Sequence, residues 1–347
     1  MGPKRPYVIG TMFALSESMR HPLASSVQRS YIFILALALI PGIATAQKRA
    51  VSAPDAQQMI GVQVALDRAG FSPGEIDGRG GSKTKLALSQ FQKSAGLPAT
   101  GVVNEETIAA LGVPSESIVT YTIAPEDVAG PFIGSMPADM MESAKLPALG
   151  YTSALEALAE KFHASPALLQ SLNPGAAWSA GDAIKVPAVE PFEPQSSAEK
   201  ATAAPKPASA SQSLDVLISG ASKSLLVRDA DGKVLMYAPV TIGSSKDPLP
   251  VGDWKVTGVS WNPTFNYNPD LFWDADPTHA KAKIPPGPNN PVGVVWVDIN
   301  KEHFGLHGTP EPATIGRTES HGCIRLTNWD ATRLGRLVAP GTKVTIQ

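Results

Sequence analysis

Residues 306–328 read LHGTPEPATIGRTESHGCIRLTN, and the rest of the chain is best read outward from this stretch. It holds the single cysteine, Cys323, with His321 two positions before it and His307 further upstream. Four of the six histidines fall in the last third of the chain, so thiol and imidazole chemistry converge there. Thiol catalysis needs a thiolate, and a free cysteine titrates near about 8.5. A base or positive charge close by has to lower that value. A histidine within hydrogen-bond reach can take the proton and later return it to a leaving amine.

His307 follows the strand-like Phe304–Leu306, and the loop after it is long enough to bring Cys323 back beside it. His321 shares a face with Cys323 if the segment is extended, because side chains alternate along a strand. Gly322 removes a side chain just before the thiol and lets the backbone turn sharply, presenting N–H groups as an oxyanion hole. Three other fates compete. A lone cysteine is commonly an inert core residue, although Gly, His and Ser are poor core neighbours. A zinc site from His307, His321 and Cys323 lacks the H-E-x-x-H or C-x-x-C spacing that sets ligand geometry. An intermolecular disulfide stays open. Cysteine catalysis ranks first and zinc well behind it.

The domain around this stretch changes pattern from Leu214 onward. Leu214–Ile218, Ser224–Arg228, Val234–Ile242, Trp254–Val259, Val294–Ile299 and Lys343–Ile346 read as short strands, with a hairpin turn at Asp231-Gly232 and one helix over Asp330–Val338. A mainly β domain over 213–347 is the expected fold. Trp261–Pro291 carries five large aromatics among seven prolines. A long loop of this kind is usually functional, so a lid or substrate groove competes with an aromatic mini-core beneath a loop. His279 and His303 are expected on surface loops without a role.

A chain of 347 residues is long enough for two to four modules. Lys plus Arg number 29 against 31 Asp plus Glu, a net charge of -2, which supplies no basic field for nucleic acid. Residues 29–46, RSYIFILALALIPGIATA, have basic residues upstream, an apolar run and small residues before Gln47. This is the architecture of a signal peptide over 1–46, and the run is interrupted before the roughly 20 apolar residues that a membrane span requires. Met12 or Met19 are alternative starts that leave export intact. Export, to a periplasm or cell wall, is expected, with no integral span after cleavage. One cysteine forbids an internal disulfide.

Between these ends, 55–113 reads as a small three-helix bundle. Val62, Leu66 and Ala69 have helical spacing, Lys83–Ala95 forms a second helix, and Asn104-Glu105-Glu106-Thr107 caps a third. The connecting segment 114–149 contains the alternating Ile118–Ile123 and a methionine-rich Met136–Met141 that is either packed on a neighbour or a hinge. In 150–189, Leu155, Leu158, Ala159 and Phe162 start a pair of short helices, and Ala183–Val186 is a strand. His163, beside Phe162, is expected to be structural. Residues 190–212 are a Pro/Ala/Ser-rich linker that would let the last domain reach away from the others.

Three resemblances rest on these residues. VQVALDRAGFSPGEIDGRGGSKTKLALSQFQKSAGLPATGVVNEETIAALG (62–112) resembles the peptidoglycan-binding type 1 domain, with an unusual loop at Gly78, Gly80 and Gly81. LEALAEKFHASPALLQSLNPGAAWSAGDAIKVP (155–187) is similar to a degenerate LysM module of βααβ form. HGTPEPATIGRTESHGCIRLTNWD (307–330), with LPVGDWKV (249–256), PPGPNNPVG (285–293) and PGTKVTI (340–346), resembles the YkuD-type L,D-transpeptidase catalytic domain.

That last resemblance implies Cys323 as nucleophile, His307 as general acid/base and the Gly308 carbonyl as the group orienting His307. Ser320, His321 and Gly322 would shape the nucleophile loop. Arg325 would meet a substrate carboxylate or form a structural ion pair, and Asn328 is a weaker substrate-binding candidate. It further implies attack on a peptidoglycan tetrapeptide stem at its third residue, a diamino acid, with loss of the terminal D-alanine. A cysteine thioester follows, and then a third-to-third (3-3) cross-link to a second stem. No cofactor is implied, and the partners are peptidoglycan stems and glycan. Water would make the same acyl-enzyme an L,D-carboxypeptidase, and a protein lysine would make it an attachment enzyme. A non-catalytic wall-binding scaffold is the rival of another class.

Overall fold

Asp55 opens the first helix by accepting the Gln58 N–H, and α1 runs over Ala56–Arg68. The computed structural model describes residues 55–194 and 213–347. The expected signal peptide and nearly all of the expected linker lie outside them. Among the described residues, no helix is long and apolar enough to cross a membrane.

α1 is apolar on more than one side because it serves two cores. Met59, Val62 and Leu66 pack with Phe71, Leu88 and Phe91, whereas Ile60 and Val64 pack with Leu158, Phe162, Leu169 and Ile184. α2 (Ser82–Ser94) and α3 (Glu105–Leu111) complete the first cluster. Asn104 caps α3 by accepting the Thr107 N–H at 2.8 Å, and left-handed Gly112 ends it.

In the second cluster, β1 (Ile118–Thr122) pairs antiparallel with β2 (Ala183–Pro187). The first strand of this two-stranded sheet is the alternating stretch at 118–123, in the segment expected to connect the two modules. Next come α4 (Met140–Ser143), α5 (Ala154–Lys161) and α6 (Pro166–Leu172). Ser153 and Ser165 cap the last two helices through the N–H groups of Glu156 and Leu168.

The remaining chain is a curled, mainly β domain. Its strands are β3 (Asp215–Ser219), β4 (Ser224–Arg228), β5 (Val234–Pro239) and β6 (Gly252–Trp261), followed by the short pair β7 (Phe265–Tyr267) and β8 (Ala282–Ile284). Then come β9 (Val295–Ile299), β10 (Gly305–His307), β11 (Ile324–Arg325), α7 (Asn328–Leu337) and β12 (Lys343–Ile346). Eight of these strands form one sheet in the order β11-β10-β9-β6-β12-β3-β4-β5. β10 with β11 and β12 with β3 are parallel, and the other neighbours are antiparallel.

The sheet curls until its two ends meet. Just past β5, Thr241 exchanges N–H···O bonds with Arg325 of β11 at 3.0 and 2.9 Å, and the Ser320 N–H reaches the Ile242 carbonyl at 2.9 Å. α7 closes the interior, with Trp329, Ala331 and Leu334 buried among Val295, Val297, Leu306 and Ile324.

Contrary to the expected reach, the β domain packs against both N-terminal clusters. Phe71 bridges Tyr237 of β5, through Ser72 N–H to Tyr237 O at 2.9 Å and Tyr237 N–H to Gly70 O at 2.8 Å. The Ser72 hydroxyl donates to Asp330 at 2.8 Å. A flexible linker composition governs only the linker, and here the flanking faces are complementary. The contact also covers an edge strand whose free backbone groups would otherwise invite foreign strands.

The aromatic loop 261–291 contains the β7–β8 pair, too short to announce itself in sequence. Tyr267 and Ile284 bury with Leu149, flanked by Phe265, Phe272, Met136 and Met140. The mini-core reading is therefore present, and the methionine-rich segment is packed on a neighbour.

Candidate active site

The parallel pairing of β10 and β11 builds the site. Leu306 lies opposite Ile324 and His307 opposite Arg325. Leu306 and Ile324, at 1% and 0% exposure, point into the core. By strand alternation Cys323, His307 and Arg325 belong to the other face.

His307 is buried, and its Nδ1 lies 2.7 Å from the Gly308 carbonyl oxygen. A carbonyl only accepts, so Nδ1 carries the proton and Nε2 keeps its lone pair. Burial above all, then the Arg325 charge, pushes the imidazole pKa down to about 3, against the Gly308 bond that raises it. The ring is thus a neutral base at physiological pH. Trp296, across from His307 on β9, stacks on the imidazole with centroids 5.3 Å apart and planes 16° apart. The indole fits because position 305 has no side chain: a Cβ on Gly305 would meet Trp296 Cζ2 at 2.4 Å.

The Cys323 thiol donates to the His303 carbonyl oxygen at 3.6 Å. Burial raises its pKa, while the Gly305 N–H and the Arg325 charge pull it down. The resting pair is accordingly a thiol and a neutral imidazole. Gly322 supplies the turn before the thiol with φ +100°, a left-handed conformation, and a Cβ there would lie 2.5 Å from Phe304 Cε1. The Ser320 hydroxyl donates to the Cys323 carbonyl and tightens this turn.

His321 lies just before the left-handed Gly322, so the segment is not extended through to Cys323. Its Nε2 pairs with Asp274 Oδ1 at 2.8 Å, between Phe272 and Trp273 of the aromatic loop. Arg325 is partly buried, and among the described residues no carboxylate lies within 4.0 Å of its guanidinium.

Asn328 is a correction. It is 0% exposed, the second residue after Leu326 and the first of α7, so its amide is spent inside the protein and reaches no substrate. Its Oδ1 accepts the Val294 N–H at 3.2 Å.

Sequence reasoning missed Trp296, the backbone of His303 and Gly305, and the closing pair Thr241–Arg325. Only Trp296 had a local signal, as an aromatic alternating out of the strand Val294–Ile299. His303 is exposed and offers only its carbonyl. His163, expected to be structural, is held by Asp67 at 3.0 Å and stacked on Trp329 at 5.0 Å. Among the described residues, no group of three or more His, Cys, Asp or Glu side chains is arranged to hold a metal ion.

Fold and site together define a curled, mainly β domain with a neutral imidazole on one strand and a thiol just ahead of its parallel neighbour. Residues 214–346 match the L,D-transpeptidase catalytic domain, the YkuD family, and residues 55–111 match a putative peptidoglycan binding domain. The chain thus carries, behind an N-terminal helical region, a mainly β domain that matches the model of the L,D-transpeptidase catalytic domain.

Among named relatives, the putative L,D-transpeptidase YkuD of Bacillus subtilis is 27% identical over 194 residues, covering 55% of this chain and 92% of its own. The probable L,D-transpeptidase YbiS of Escherichia coli K12 is 30% identical over 135 residues, covering 37% of this chain and 43% of its own. An L,D-transpeptidase structure from Mycobacterium smegmatis aligns at 21% identity and TM-score 0.33, over 39% of this chain and 59% of that one.

Proposed function

We propose that this chain is an exported, cysteine-dependent L,D-transpeptidase that joins peptidoglycan stems through a thioester on Cys323. The observation that carries the reading is the His307–Gly308 bond on the strand beside Cys323, which leaves a neutral Nε2 as the base on the thiol's face of the sheet.

As stem carbonyl carbon and sulfur approach, the thiol proton passes to His307 Nε2 and the C–S bond forms. Backbone N–H groups of the Gly322–Cys323 turn receive the developing oxyanion. The C–N bond to the terminal D-alanine then breaks, and His307 gives the proton to the departing amine. The amine of a second stem attacks the thioester, loses its proton to His307, and the sulfur leaves as the thiol once protonated. Atoms and protons balance without a cofactor.

A neutral resting pair suits this sequence, because the proton need move only when a carbonyl arrives. Arg325, unpaired by any carboxylate among the described residues, fits a substrate carboxylate through two parallel hydrogen bonds. The 55–111 domain and the βααβ cluster, in our reading a LysM-like module, would hold glycan and raise the local concentration of stems. Export follows from the 29–46 stretch and from a substrate that lies outside the cytoplasm.

The test is product analysis. Mature protein is incubated with disaccharide tetrapeptides and the products are weighed by mass spectrometry. Cross-linked dimers with one free D-alanine per bond are expected. Tripeptide alone would make it a carboxypeptidase, and unchanged substrate would make it a wall-binding scaffold.

A further inference from the structure

Glu160 sits on α5, outside the β domain, and is only 8% exposed. Its Oε1 accepts a hydrogen bond from Asn328 Nδ2 at 2.7 Å, a partner 168 positions later. The same Nδ2 donates to the Pro288 carbonyl at 3.1 Å, and Asn328 Oδ1 accepts from Val294 N–H at 3.2 Å. These partners fix the direction of the amide. Turned over, its NH2 would face an N–H and its oxygen would face a carboxylate and a carbonyl.

The fixed oxygen lies close against the backbone that serves the site. A Cβ on Gly308 would lie 2.1 Å from Asn328 Oδ1, and one on Gly293 would lie 2.0 Å from it. Gly308 is the residue whose carbonyl holds the Nδ1 proton of His307. The Gly308 N–H, on the preceding peptide, donates to Val295 O at 3.2 Å, so the residue is anchored from the strand side as well.

We propose that Glu160 is a positioning residue for His307: it holds the Asn328 amide, the amide seats the Gly308 peptide, and that carbonyl sets the tautomer and direction of the imidazole. The proposal rests on the reading of His307 as the acid/base. It makes the α5 module a working part of the catalytic site in addition to any hold it has on the wall.

Two further observations support it. Burial raises the Glu160 pKa to about 7, against hydrogen bonds from Tyr151 and Asn328 that lower it, so this carboxyl is kept inside at a cost. The neighbouring Glu156 accepts from Asn289 Nδ2 at 2.9 Å, which ties α5 to the same loop without touching Asn328. Glu156 therefore separates gluing from positioning.

The experiment compares full-length mature protein with Glu160→Leu, Glu160→Gln and Glu156→Ala, by steady-state transfer and by 15N NMR of labelled histidine. The wild type should show His307 as a single tautomer protonated at Nδ1. Glu160→Leu should mix the tautomers and lower kcat about tenfold or more with little change in KM, the size of effect expected when an orienting partner is lost. Glu160→Gln keeps an acceptor for Asn328 and should restore both, and Glu156→Ala should keep the wild-type spectrum.

A folded Glu160→Leu with wild-type kcat and spectrum would overturn the proposal, as would equal losses in Glu160→Leu and Glu156→Ala. If Glu160→Leu does not fold, Asn328→Ser decides, and an unchanged His307 spectrum in it overturns the proposal. A wild type without transfer activity would sink the proposed reaction, and the tautomer spectra would still decide the positioning.

Discussion

His307 donates its Nδ1 proton to the carbonyl of Gly308 at 2.7 Å, so a main-chain oxygen, with no carboxylate, orients the imidazole. The carbonyl favours the imidazolium, but burial and the Arg325 charge outweigh it, and no carboxylate is there to add to it. The site therefore rests as thiol plus neutral imidazole, and its testable properties follow from that state.

Stability should depend on pH through His307. The unfolded residue titrates near ~6.5, and the folded one is held to about 3 by burial. The folded form resists protonation, so this contribution is intact above the unfolded value and is lost as pH falls toward the folded one. The loss approaches about 1.4 kcal/mol per pH unit between the two values. Urea unfolding of the wild type and His307→Gln from pH 7 to 4.5 measures it, and the stability difference should shift against the wild type on acidification. Glu160 and Asp330, raised to about 7 and about 6, titrate with the opposite sign, but they are common to both proteins and cancel in the difference.

Alkylation of Cys323 should be slow at neutral pH and accelerate as pH rises past the ordinary thiol range, because burial raises its pKa. With one cysteine in the chain, iodoacetamide uptake reads this site alone. Arg325→Gln removes a charge that favours the thiolate and should slow uptake further at pH 8.

Gly305→Ala should damage the site from behind. The added Cβ would meet Trp296 Cζ2 at 2.4 Å and push the indole off His307. A cost of about 1–3 kcal/mol is expected for such overpacking, read as a lower Tm together with reduced transfer. An unchanged Tm would mean that the indole is free to move aside.

Tyr237 should distinguish packing from polarity at the junction with the N-terminal helices. It is 0% exposed, and its hydroxyl has no hydrogen-bond partner among the described residues. Tyr237→Phe should change stability by less than about 1 kcal/mol or raise it. Tyr237→Ala should cost about 3–5 kcal/mol, and limited proteolysis should show the 55–111 helices released from the sheet.

Most strands of 213–347 were legible because their apolar patterns are local, whereas the parallel pairing of β10 with β11, which sets His307 beside the Cys323 segment, is a long-range contact that no local pattern shows. The partner of His321, Asp274 on the aromatic loop, was not legible because it lies 47 positions earlier. Asn328 looked like a substrate contact because it follows the motif closely, yet it starts a helix whose N-terminus is buried. What decides its role is Glu160, and no local pattern links residues 168 positions apart. The same holds for Phe71 on Tyr237, where a Pro/Ala/Ser-rich linker suggested separation and complementary faces produced docking. β7 and β8, three residues each, are too short to show a period at all.

The central claim is that Cys323 carries the acyl group, and intact-protein mass spectrometry tests it most directly. Wild-type protein quenched in acid during turnover of a tetrapeptide stem should gain the mass of the stem less D-alanine, located on Cys323 and released by hydroxylamine. Cys323→Ala should gain nothing and form no cross-links. Cross-linking by Cys323→Ala at the wild-type rate would contradict the account.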